Sequence, residues 1–180
     1  MSDQVPDLKK NCLLSNDIYD YWYVSQGKTT VPSIDDKEDM GFADEAFDVL
    51  GFTHEEKWGV YKNTACMMHM GNMTKDFVPV GKEEQADVKD DANCIIVAEL
   101  LGIDCEWMVT YFCKPKMKVG TEWVQKGSTC QGASNSVAGI ARAIYERTFR
   151  LIADKCNETL IDPTMKKCSY IGVLDIAGKF

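Results

Sequence analysis

The stretch from about Gln131 to Thr159 limits the possible folds most. Val137, Ile140, Ala141, Ile144, Thr148, Leu151 and Ile152 follow the i, i+3, i+4, i+7 rule, while Arg142, Glu146, Arg150 and Lys155 fall largely off that stripe. A helix over this span would be on the order of 40 Å long at 1.5 Å per residue, which is long for a free-standing domain of this size. Pro163 lies in the connection out of it, and Tyr170 to Ile176 reads as a strand buried on both faces, the kind found inside a parallel or mixed sheet. One buried strand needs neighbours. The rest of the chain reads mostly as helix, so the missing strands are expected outside it.

Upstream, the aromatic segment from Lys9 to Thr30 has weak periodicity and reads as irregular chain packed on something larger. Pro32 to Asp39 reads as an acidic loop, and Asp44 to Leu50 as a short helix stopped by Gly51. Thr53 followed by Glu56 makes a capping box at the head of the next helix. Trp58, Tyr61, Ala65 and Met68 then share one face of a helix ending near Gly71. The helical spacing of Met67, Met68, Met70 and Met73 points to core packing rather than to a soft binding surface.

Lys75 to Asp91 carries Pro79, Gly81 and dense charge, the marks of an exposed loop. Ala92 to Asp104 reads as a short helix closed by Gly102, and Glu106 to Phe112 as another. In the following "CKPKMKVGTEWVQKG", Lys114, Lys116 and Lys118 alternate with Pro115, Met117 and Val119, so an extended chain would put three ammonium groups on one face. Gly120 and Thr121 look like a hairpin tip. Lysines on a strand edge commonly serve to block edge-to-edge pairing, and this account stands beside any binding role.

Composition narrows the function classes. With 180 residues and 45% hydrophobic content there is material for a core. A net charge of -8 argues against nucleic acid or an anionic membrane as partner, so an acidic partner must be met by a local basic patch. The eight cysteines sit singly, with no C-x-x-C pair and two histidines in the whole sequence, which disfavours zinc. Met1 to Asn11 is polar without an apolar signal core, and no apolar run approaches the roughly 18 residues that span a bilayer. A reducing, cytoplasmic setting is expected, with the cysteines as small core residues.

The run "YIGVLDIAGKF" ends in Asp175-Ile176-Ala177-Gly178. A carboxylate at a strand's carboxyl end can hold magnesium through water, and a glycine lets its N–H approach a phosphate oxygen closely. The same four residues also make a plain strand-end turn. "YIGVLDIAG" resembles the switch II strand of myosin motors, where the run normally continues Phe-Glu. The resemblance extends over nearly the whole chain: "DIYDYWYVSQGKTTVPSIDD", "DEAFDVLGFT", "EEKWGVYKNTACMMHMGNM", "EEQAD", "KPKMKVGTEWVQKG" and "KCNETL" read like successive pieces of a muscle-type, invertebrate-like myosin heavy chain.

That resemblance implies an α/β fold: a mostly helical segment of a P-loop NTPase-type motor, residues 1–180 running from the upper actin-binding subdomain to switch II and ending in one central-sheet strand. It implies ATP and Mg2+ as ligands of the complete motor, with Asp175 (indirectly, through water), Ile176, Ala177 and Gly178 at the nucleotide. It implies the actin filament and the remainder of the heavy chain as partners, at the cytoskeleton. Lys114 to Lys126 would be the so-called cardiomyopathy loop, a hairpin that touches actin, with Lys114, Lys116, Lys118, Glu122 and Lys126 as candidate contacts. Lys116 stands where many relatives have arginine, which keeps the charge and loses a bidentate option. Glu83, Glu84 and Asp87 resemble the start of another loop beside the actin cleft, but "MTKDFVPVGKEEQAD" is longer and less basic before them than in typical relatives. The acidic stretch Lys82 to Asp91 is expected to be solvated surface, since a like-charged actin would repel it.

The departures bear on activity. The 180 residues contain no G-x-x-x-x-G-K-[ST] phosphate loop and no switch I segment, and Lys179-Phe180 stands where Phe-Glu would follow Gly178. Phosphoryl transfer is mostly positioning and charge stabilisation, so one wall of the site is not expected to catalyse it. The polypeptide alone is therefore expected to bind no nucleotide. A non-catalytic actin-binding module and a non-functional truncated remnant remain as alternatives; a small GTPase-like switch lacks the same phosphate cradle.

Overall fold

The long helix forms where the periodicity puts it. A computed structural model describes residues 5–82, 84–161, 164, 171 and 172 of the chain, and in it this helix, α6, spans Cys130–Thr159. The Thr129 hydroxyl caps it by accepting the Gly132 N–H at 3.1 Å. Ala133, Val137, Ala141 and Thr148 are buried, and Ile140 and Ile144 pack beside them. The inward stripe stops short of its predicted end, because Leu151 is 48% exposed. The predicted strand Tyr170 to Ile176 lies outside the described residues.

Before α6 come α1 (Leu8–Asn11), a 3-10 turn (Ile18–Asp20), α2 (Asp36–Val49), α3 (His54–Met73), β1 (Phe77–Val80), β2 (Gln85–Val88), α4 (Ala92–Leu101), α5 (Cys105–Cys113), β3 (Lys116–Val119) and β4 (Glu122–Gln125). The described residues are thus mostly helical, with two antiparallel two-stranded sheets. Two expectations are corrected here. The helix predicted over Asp44–Leu50 starts eight residues earlier, because Asp35 accepts the N–H groups of Lys37 (2.9 Å) and Glu38 (3.2 Å) and turns half of the supposed acidic loop into a first turn. The supposed loop Lys75–Asp91 contains a hairpin, since Phe77 buries into the core opposite Val88 and Gly81 takes φ +71° in the connection.

Helix α3 organises the core. It opens with the capping box: Glu56 N–H to Thr53 Oγ1 at 3.2 Å and Thr53 N–H to Glu56 Oε2 at 2.8 Å. It runs past Gly71 to Met73, and Met70 and Met73 are fully buried with Cys66, Cys94, Val97 and Val137 from α3, α4 and α6. Burial pushes the Cys66 and Cys94 thiols up to about 12, so both behave as small apolar groups. Tyr61 and Ala65 face another way, onto Val5, Leu8 and Cys12.

Side-chain bonds tie the flanking segments to α3. Tyr61 donates to Asp44 of α2 at 2.7 Å, and the buried Lys57 ammonium pairs with Asp44 (3.1 Å) and Asp48 (2.8 Å). Asn72 accepts the Trp22 N–H at 2.9 Å and donates to the Asp20 carbonyl at 2.6 Å. The Tyr23 ring lies so close to α3 that a Cβ at Gly71 would meet its Cγ at 2.7 Å. The aromatic segment is held by its own short-range bonds, such as Tyr19 N–H to Asp17 Oδ1 at 2.9 Å, together with those to Asn72 of α3. At the far end of α6, Lys155 reaches back to Glu56 at 3.1 Å.

Two stability tests follow from α3. Thr53→Ala removes one half of the capping box and should lower unfolding free energy by about 1 kcal/mol in urea titration. His69 is 4% exposed, stands edge-on to Tyr21, and has no hydrogen-bond partner at Nε2. Burial lowers its pKa, against hydrogen bonds to the Cys12 and Leu13 carbonyls that raise it. The unfolded chain therefore takes up this proton first: the His69 contribution is intact above the ordinary histidine pKa of about 6.5 and is lost as pH falls from there through the folded value. The thermal midpoint should drop between pH 7.5 and pH 5, and His69→Asn, which keeps a donor towards the carbonyls, should flatten that slope.

Candidate functional site

The end of α5 sets the position of the basic segment. Asp104 caps α5 by accepting the Trp107 N–H at 2.7 Å, and Met108, Phe112 and Cys113 bury its inner face. The chain then leaves the core at Lys114, the C-cap, and turns into β3. β3 and β4 pair with Lys116 opposite Gln125, Met117 opposite Val124, Lys118 opposite Trp123 and Val119 opposite Glu122. Gly120 takes φ +62°, while Thr121 does not take a positive φ, the pattern of a two-residue type II′ hairpin loop.

Every residue of both strands is exposed. Strand alternation gives the ribbon two faces: Lys116, Lys118, Trp123 and Gln125 on one, Met117, Val119, Glu122 and Val124 on the other. The expectation of three ammonium groups on one strand face is corrected to two. Lys114 precedes the ladder with φ −137° and ψ 65°, at the negative end of the α5 dipole. Lys126 lies just past β4, its N–H bonded to the Pro115 carbonyl at 3.2 Å. The ribbon thus brings Lys116, Lys118 and Trp123 together, with Glu122 on the opposite face.

Its root is closed by further bonds. Gln125 Nε2 donates to the Lys114 carbonyl at 3.0 Å, and Ser128 N–H donates to the Cys113 carbonyl at 2.8 Å. The Ser128 carbonyl accepts the Ala86 N–H of β2 at 2.7 Å, and Gln85 pairs with Thr129. This meeting between the two hairpins is not legible in the sequence, because the first of them reads as a loop.

Other candidate features contribute less. Glu84 (φ +49°) and Asp87 are exposed on the first hairpin, and Glu83 lies outside the described residues. A cavity of about 760 Å³ between the N-terminal segment and α3 is lined in part by Lys57, Trp58 and Lys62, but its buried cation, Lys57, is already neutralised by two carboxylates. Among the described residues no group of three or more His, Cys, Asp or Glu is arranged to hold a metal ion. Asp175, Ile176, Ala177 and Gly178 lie outside the described residues.

Comparison with known proteins supplies the context for this geometry. The sequence profile of the family described as "Myosin head (motor domain)" matches residues 1–180. Among curated proteins the chain is 42% identical over 178 residues to Myosin-3 of Caenorhabditis elegans and 41% identical over 178 residues to Myosin-3 of Caenorhabditis briggsae. Each alignment covers 99% of this chain and 9% of the relative, so the chain spans about a tenth of the length of the curated relatives it matches.

Proposed function

The chain belongs to the myosin head (motor domain) family, and from that membership we propose that it serves as part of an actin-based, ATP-driven cytoskeletal motor, contributing a filament-contacting surface centred on the β3–β4 hairpin. The observation that carries this reading is the hairpin itself: a fully exposed ribbon with Lys116 and Lys118 on one face, projecting from a chain of net charge -8. Such a local basic patch can meet an acidic filament surface that the rest of the chain would repel. Trp123 on the lysine face adds a large rigid contact of the kind that dominates interface energies.

Nucleotide chemistry belongs to the complete motor. Asp175, acting on Mg2+ through water, and Ile176, Ala177 and Gly178 at the phosphate are assigned by resemblance to the switch II strand alone. Bound ATP and Mg2+ would supply the phosphoryl group and its charge neutralisation. With no phosphate loop in the 180 residues, this polypeptide is proposed to be inactive by itself. The motor would act at the cytoskeleton, with the remainder of a heavy chain as its partner. No described helix is long and apolar enough to cross a membrane.

Two measurements test the proposal. The chain should cosediment with actin filaments in a salt-sensitive manner, because exposed charges are screened within about 10 Å at 0.1 M salt. Neutralising Lys114, Lys116 and Lys118 to Gln should abolish that binding; undiminished binding by the triple variant would remove the hairpin from the interface and leave its lysines as guards of an open strand edge. Separately, the purified 180-residue polypeptide should release no phosphate from MgATP above a buffer control, and measurable turnover would refute the assignment of catalysis to parts encoded elsewhere.

A further inference from the structure

The β3–β4 ribbon touches little along its length, so its direction is decided at its root. There residues 127–129 meet β2 at a single antiparallel pairing: Ala86 N–H bonds the Ser128 carbonyl at 2.7 Å, and Thr129 pairs with Gln85. Ser128 is bonded on both sides, since its own N–H reaches the Cys113 carbonyl at 2.8 Å. Ala86 is 2% exposed and belongs to the main core, so β2 is a fixed support.

At the contact itself, the Gln85 side chain fills the space in front of Gly127. A Cβ at Gly127 would overlap Gln85 Cδ and lie 2.9 Å from Gln85 Cγ, nearer than real side chains approach. Because Cγ as well as the tip is in the way, Gln85 could not make room by rotating its amide; the whole side chain would have to change rotamer. Gly127 is therefore glycine for close approach rather than for an unusual backbone angle, as its φ is not among the positive ones. The two stretches "EEQAD" and "VQKG" are separate in sequence and meet at this point.

We propose that Gly127 is a positioning residue for filament binding: by letting the root of the second hairpin lie flat on Gln85 and Ala86 of the first, it makes the β1–β2 hairpin the element that aims the basic ribbon. The inference rests on the filament-binding reading above and adds a mechanical role for the first hairpin, which would act without contacting the filament. A ribbon held in one direction loses less freedom on docking than one that swings, so the junction acts on affinity while every charge stays in place.

The experiment uses the full chain with four variants: Gly127→Ala, Gln85→Ala, the double variant, and Gly27→Ala as a control outside any helix or strand whose Cβ meets open space. Actin cosedimentation, the thermal midpoint, and amide hydrogen exchange at Ala86 and Ser128 are measured together. Gly127→Ala should bind filaments about tenfold more weakly, equivalent to ~1.4 kcal/mol. Exchange at Ala86 and Ser128 should be faster and the midpoint close to that of the control. Removing the obstructing side chain in the double variant should restore both affinity and protection.

Unchanged exchange in Gly127→Ala overturns the junction, and faster exchange with unchanged affinity overturns its positioning role. Should Gly127→Ala fail to fold, the double variant decides: near wild-type binding supports the steric account, and weak binding or loss of folding refutes it. Absence of cosedimentation by the unmodified chain defeats the filament reading itself, a result visible before any variant is compared.

Discussion

Burial of α3 on more than one side is the constraint on which the remaining architecture depends. Cys66, Met70 and Met73 face the cluster built with α4, α5, α6 and the first hairpin, while Tyr61 and Ala65 face the N-terminal segment. A helix enclosed in this way has few positions left for solvated side chains, and those polar groups that remain must be matched. Lys57 is matched by two carboxylates of α2, and the Tyr61 hydroxyl by one of them. Desolvating an ammonium is costly, and the paired carboxylates offset that cost while fixing where α2 can lie. His69 is the incompletely matched member of the set, which is why the fold acquires a dependence on pH there.

The same packing places the candidate contact surface. α5 is seated by Met108, Phe112 and Cys113, and burial lifts the Cys113 thiol to about 11, as expected for a residue that ends inside the core. One residue later the chain is in solvent. β3 and β4 therefore begin at the boundary of the core, and the return strand is received by β2, whose Ala86 is itself buried in that core. The ribbon is exposed, yet both ends of its root are fixed by buried elements.

How far the sequence disclosed this depends on the range of the interactions involved. Thr53 with Glu56, Gly102 after α4, Gly120 at the ribbon tip and the α6 stripe were readable because each rests on contacts within a few residues. The cap at Asp35 is equally local, but the acidic run around it suited a loop as well as a first turn. The first hairpin was hidden because Pro79 and dense charge mark loops, whereas the force that forms it is burial of Phe77 against helices distant in sequence. On α3 the core packing of Met70 and Met73 was legible from their spacing, whereas Cys66 was not picked out and Met68 is half-buried, since the side enclosed by α4 and α6 is the one carrying 66, 70 and 73. Of the candidate site, the ribbon and its lysines were legible; the Gly127–Gln85 contact, joining positions 42 apart, was not.

The two accounts of the lysines, guards of an open edge or contacts for a filament, are compatible in structure and differ only in what they ask of the root. A two-stranded hairpin alone is marginally stable in water, and this one buries no face of its own. For a guard, a loose ribbon would suffice, because a charge near the edge discourages pairing in many orientations. A contact surface has to present Lys116, Lys118 and Trp123 in one arrangement, and the geometry of the root meets that stricter demand. The Ser128 backbone is bonded on both sides, Gln125 is tied to Lys114, and a glycine stands where a Cβ would collide with the Gln85 side chain. Backbone bonds of this number at the base of an otherwise unsupported ribbon favour a surface whose direction matters.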